Sequence, residues 1–185
     1  MARGTTGCSW SCSPTSSADR ADPSLPGTIP SMSDLEPSPD PATHPGPPAV
    51  RLVPDLVEAI VSHARAEDPN EACGLIVGDR PAADGGHALR FEATRNKAAS
   101  PYRYEIDPDD LLRLTIATDD ADEVFWGIVH SHVRSPAYPS PTDVGLAFYP
   151  DALYILVSLA QDEPALGAFR IVDGTIHAVE LVVGA

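Results

Sequence analysis

VFWGIVHSHVRSPAYPSPTDV, residues 124–144, carries a strand signal, a loop and a helix start in one stretch. Val124 to Val129 is an apolar run of the length expected for a buried central strand, and it ends in His130-Ser131-His132. Residues two apart on a strand point to the same side, so both imidazoles share one face and Ser131 turns to the other. Ser140-Pro141-Thr142-Asp143 has the form of a helix N-terminus, with a serine cap, proline at the first helical position and an acid at the third.

Working outward, Pro54 to Ala66 reads as an amphipathic helix whose stripe is Leu56, Val57, Ile60, Val61 and Ala64. His63 near its end reads as a surface or cap residue. After the breaker DPNE, the glycine-bounded run CGLIVG predicts a buried strand. Asp84-Gly85-Gly86 signals a turn, and HALRFEAT alternates as a second strand. A short third strand is expected at YRYEI. Asp107-Pro108-Asp109-Asp110 opens a helix running to about Ala121, with acids at the positive end of its dipole. A helix over Pro141–Phe148, a buried strand in ALYILVSLA and a hairpin turning at Asp173-Gly174 complete the chain. The order predicts an α+β fold, a mixed sheet with helices packed against it.

The first 48 residues hold ten of the twenty prolines and no period of 2 or 3.6, the composition of a disordered tail. They lack the basic start and apolar run of a signal peptide, and Met32 offers an alternative translational start. The folded domain is expected over 49–185, long enough for one sizeable core. The net charge is −15, and because the tail has five acids and two arginines, about −12 stays on the domain. That balance argues against nucleic-acid binding through phosphate neutralisation, and no apolar stretch is long enough to span a bilayer. Cys8, Cys12 and Cys73 form no disulfide framework, which suits a reducing cytoplasm. Cys8 and Cys12 have the spacing of half a zinc clip, with no second pair after them.

Two imidazoles at a strand end are a natural beginning for a zinc site, and a catalytic zinc takes three protein ligands with a fourth place open. Asp143, eleven residues after His132, can return across the loop as the third. Helix capping alone could account for Ser140 and Asp143, although not for the paired histidines, and the two readings are compatible. Glu71, in NEACG just before a predicted strand, is the candidate base near the metal's water. Two histidines and a carboxylate also make an Fe(II) facial triad, but that reading leaves Glu71 and Ser140 without a role. Cys73, Trp126 and Phe125 read as core, whereas Arg134 and Tyr138 lie on the loop between the metal-ligand candidates.

Glu71, then His130-Ser131-His132, seven residues, Ser140, two residues and Asp143 together resemble the JAMM (MPN+) metalloprotease motif, and within it the small bacterial Mec-type enzymes. The similarity spans about residues 50–183 and includes SPYRYEID, AYPSPTDV, PDALYILVS and FRIVDG. The resemblance implies a cytidine-deaminase-like mixed sheet and a Zn2+ cofactor held by His130, His132 and Asp143. It implies that Glu71 takes a proton from the attacking water and delivers it to the leaving amine, while Ser140 helps hold the oxyanion. The implied partner is a ubiquitin-like sulfur carrier protein bearing cysteine on its C-terminal glycine, and the implied product is free cysteine for biosynthesis. A broader isopeptidase on other ubiquitin-like conjugates, and a module that binds such tails without cutting them, are the alternatives.

Overall fold

A computed structural model describes residues 49–184. The expectations for the first 48 residues, Cys8, Cys12 and Met32 among them, lie outside the described residues. Seven strands and three α-helices follow one another as β1 (Ala49–Leu52), α1 (Pro54–Glu67), β2 (Cys73–Gly78), β3 (Ala88–Thr94), α2 (Pro108–Asp120), β4 (Val124–His132), α3 (Pro141–Gly145), β5 (Leu153–Ser158), β6 (Ala165–Val172) and β7 (Thr175–Val183). One sheet takes all seven strands in the order β1-β7-β6-β5-β4-β2-β3. The β4–β5 and β1–β7 pairs are parallel and the remaining pairs antiparallel.

The alternation of the central strands divides the core into two layers. Ile76, Trp126, Val129, Ile155 and Val157 pack with Leu56, Ile60 and Ala64 of α1. Leu75, Ile128, Tyr154 and Leu156 face the other way and pack with Leu114 of α2. With both faces covered, β2 and β5 are buried along their whole length, which is why their sequences are continuous apolar runs. His130 and His132 have the parity of Ile128. The α2 layer is therefore the one that opens onto the functional end of β4.

Three expectations change, those for YRYEI, the helix from Pro141 and His63, and one strand is added. YRYEI is no strand: it makes a single bridge, Asn96 to Ile106. The Asn96 side chain takes the partners a ladder would need, its Oδ1 accepting from the N–H groups of Ala98 and Glu105 and its Nδ2 donating to the carbonyls of Glu71 and Arg103. The helix at Pro141 stops at Gly145, because Leu146 leaves helical geometry at φ −108°, ψ 9°. β1 was not foreseen: its four residues pair in parallel with Glu180–Val183 and bury Leu52 completely. His63 is half-buried, with Nε2 3.1 Å from the carbonyl of Cys73, tying α1 to β2.

Candidate metal and catalytic site

β4 delivers both histidines from one strand face, and α3 brings Asp143 back to them. The candidate ligand atoms of His130, His132 and Asp143 lie within 4.8 Å of one another, and all three residues are buried. His130 Nε2 is 3.4 Å from Asp143 Oδ1, and His132 Nε2 is 3.4 Å from Asp143 Oδ2. Ligands held tetrahedrally by zinc at roughly 2.0–2.2 Å stand about 3.4 Å apart, so this spacing fits a shared ion. Buried His130 has no hydrogen-bond partner at either ring nitrogen. A buried imidazole whose nitrogens lack hydrogen bonds, with only the Asp143 carboxylate 3.4 Å away, is costly unless its lone pair is used. A metal ion would use it.

The surroundings fix each ligand. His132 Nδ1 is 2.8 Å from the carbonyl oxygen of Pro136; donation there leaves the Nε2 lone pair of the neutral ring available to a metal. The Tyr104 ring stacks on His130 with centroids 4.4 Å apart. Asp143 sits in a capping box with Ser140, whose N–H donates to Asp143 Oδ2 at 2.6 Å. The cap and ligand readings of Asp143 thus hold together: the cap aims the carboxylate.

Charge follows from burial and pairing. Burial would raise the Asp143 carboxyl, but its contacts with His130 and His132 outweigh this and hold it well below the usual carboxylate range. Burial keeps His130 neutral, against the opposing pull of Asp143. For His132 the desolvation is overcome by Asp143 and the Pro136 carbonyl, and its pKa is raised.

Glu71 precedes β2. Burial pushes its carboxyl up to about 7, with His132 pulling it down and Asp143 pushing it further up. Its N–H donates to the carbonyl of Ser100 at 2.9 Å, and its carbonyl accepts from Asn96 Nδ2 at 2.8 Å. The next residue is clasped by β4, since the Ala72 N–H donates to Ser131 Oγ at 2.8 Å and the Ser131 N–H donates to the Ala72 carbonyl at 3.0 Å. Ser131 thus positions the glutamate, a role its place in the triplet does not announce.

Glu71, His132 and Ser140 line one cleft of about 340 Å³ with Arg134, Pro101 and Tyr102. A larger hollow of about 460 Å³ lies by the first residues of β4, at Val124 and Phe125. It contains no metal-ligating cluster; among the described residues only His130, His132 and Asp143 form one. Trp126 is core as expected, and Phe125 is half-buried against Tyr149. Cys73 is also core: its buried thiol, pushed up to about 11 mainly by burial, contacts Thr94 Oγ1 at 3.3 Å. Tyr138 is exposed and stands edge-on to Phe169, outside the cleft.

Residues 53–172 match the family described as prokaryotic homologs of the JAB domain. The chain is 44% identical over 127 residues to the CysO-cysteine peptidase of Mycobacterium tuberculosis, covering 66% of this chain and 82% of that protein. It is 33% identical over 112 residues to the desampylase of Haloferax volcanii, covering 58% of this chain and 78% of that one. A Desulfitobacterium hafniense protein solved in solution superimposes with a TM-score of 0.64 at 31% identity, over 72% of this chain and 92% of that chain.

Proposed function

This chain belongs to the family of prokaryotic JAB-domain homologs, and from that premise we propose that it is a zinc-dependent hydrolase releasing cysteine from the C-terminal glycine of a ubiquitin-like sulfur carrier protein. The carrying observation is the convergence of a buried His-His-Asp cluster with a buried glutamate and a serine beside one cleft. The identity to a CysO-cysteine peptidase supports the choice of substrate. We take residues 49–185 as the catalytic unit. A cytoplasmic location rests on the sparse cysteines, three in 185 residues. Among the described residues no helix is long and apolar enough to cross a membrane.

In this reading His130, His132 and Asp143 hold zinc. Zinc supplies a polarised scissile carbonyl and a water acidified to a pKa of about 7. Glu71 as carboxylate accepts one proton from the attacking water and gives it to the leaving nitrogen as the carbon–nitrogen bond breaks. The water oxygen stays on the carrier as its C-terminal carboxyl group, which releases its remaining proton to solvent, and cysteine leaves as the amine. Ser140 Oγ accepts from the Asp143 N–H, so its own proton is free to donate to the carbonyl oxygen as charge grows there.

The test is zinc content together with cysteine release from a carrier–cysteine conjugate, with Glu71→Gln as control. One zinc per chain, release by the native protein and none by the variant are expected. Absence of bound zinc would remove the metal-site reading. The desampylase relative favours a second reading, cleavage of other ubiquitin-like conjugates; zinc binding without cysteine release would point there.

A further inference from the structure

We propose that Arg134 is a specificity residue that receives the α-carboxylate of the departing residue, so that the site favours conjugates whose leaving group is a free amino acid. The inference rests on the hydrolase reading above and selects between its two substrate classes.

Arg134 lines the same cleft as Glu71, His132 and Ser140, and among the described residues no other lysine or arginine does. In this acidic protein, Arg90, Arg95 and Arg113 each contact carboxylates. Exposed Arg134 makes no ion pair with any described residue. The loop beneath it is pinned. His132 Nδ1 meets the Pro136 carbonyl at 2.8 Å, the Ser158 hydroxyl donates to the Ser135 carbonyl at 2.6 Å, and Val133 is buried. The backbone that carries the arginine is thereby fixed, which lowers the ordering cost of binding.

The chemistry of the conjugate identifies the anion. The carrier's own terminal carboxyl is consumed in the scissile amide. An amino acid joined through its α-nitrogen keeps a carboxylate two bonds from that nitrogen, the atom Glu71 must protonate. Both groups therefore fall in the one cleft. A lysine side chain joined through its terminal nitrogen brings no carboxylate near. A guanidinium is matched to a carboxylate in shape and charge. Arg134 also borders a hollow shared with Glu163, and a guanidinium committed to that acid would read no substrate.

The experiment uses the full zinc-loaded chain and CysO, the protein named with the Mycobacterium peptidase. CysO is prepared with one added C-terminal cysteine, either as the free acid or as the carboxamide. Steady-state cleavage of both is measured, and binding of both to Glu71→Gln. The native protein is expected to favour the acid on the order of tenfold, chiefly in KM. Arg134→Met should cleave the amide as the native protein does and lose the preference, and Arg134→Lys should keep part of it. The same acid-to-amide ratio in native protein and Arg134→Met overturns the inference while leaving the hydrolase intact. If the native protein cleaves neither conjugate, the proposed function fails and the inference fails with it.

Discussion

Ser140 and Asp143 hold each other from both ends: the Ser140 N–H donates to Asp143 Oδ2 at 2.6 Å, and the Asp143 N–H donates to Ser140 Oγ at 3.3 Å. The contact that orients the carboxylate is a backbone one. Ser140→Ala therefore keeps it and removes only the hydroxyl. The variant should bind zinc in full, lose about 1 kcal/mol of stability through the cap, and lose on the order of 100-fold in kcat through the missing donor. Metal content, thermal melting and turnover measured together check this. An unchanged kcat would leave the serine with capping alone.

Zinc should stabilise the fold through the buried ligands it satisfies. At free zinc about 100 times Kd, mass action contributes about 2.7 kcal/mol, which for a domain of this size raises Tm by roughly 10 °C. Chelator-treated protein should gain that shift on titration with zinc. Asp143→Ala should lose it, because His130 and His132 would then face the ion without their acid. Differential scanning calorimetry with and without metal decides the matter.

Glu71 sets a pH dependence whose sign follows from its raised pKa. The base works as the carboxylate, so kcat/KM should fall as pH drops through the folded-state value. That value is about 7 without metal, and a nearby cation lowers it, so the acid limb should lie below 7. Stability of the metal-free protein runs the other way. A carboxyl raised from 4.5 to about 7 by burial binds its proton more tightly when folded, so its contribution is lost as pH rises through that window. Glu71→Gln should thus stabilise the metal-free protein at pH 8 and not at pH 4. It should also cut turnover by roughly 100-fold or more with zinc retained.

Much of this was legible in the chain because the signals are local. A strand ending in alternate histidines, a serine–proline helix start and glycine-bounded apolar runs each declare themselves within a few residues, and β4, α3, β2 and β5 follow. The parts that were not legible are long-range or belong to the backbone. β1 is four residues long and has meaning only beside β7, more than a hundred positions away. YRYEI has strand composition, but the Asn96 side chain takes the Arg103 carbonyl and the Glu105 N–H, leaving a single bridge. The Pro136 carbonyl behind His132 and the Tyr104 ring over His130 are tertiary facts that no spacing carries.

Ser131 is the clearest such case, and its removal makes the last prediction. On the strand it points away from both imidazoles, so the metal ligands do not depend on its side chain. Its hydroxyl instead satisfies the Ala72 N–H, one residue beyond Glu71, in a buried setting. Ser131→Ala leaves that donor unpartnered, at a cost of about 1–3 kcal/mol, and loosens the link that sets the distance from glutamate to metal. The variant should melt earlier and turn over more slowly with one zinc still bound. Loss of zinc at an undiminished rate per bound metal would mean that Ser131 supports the ligands rather than the base.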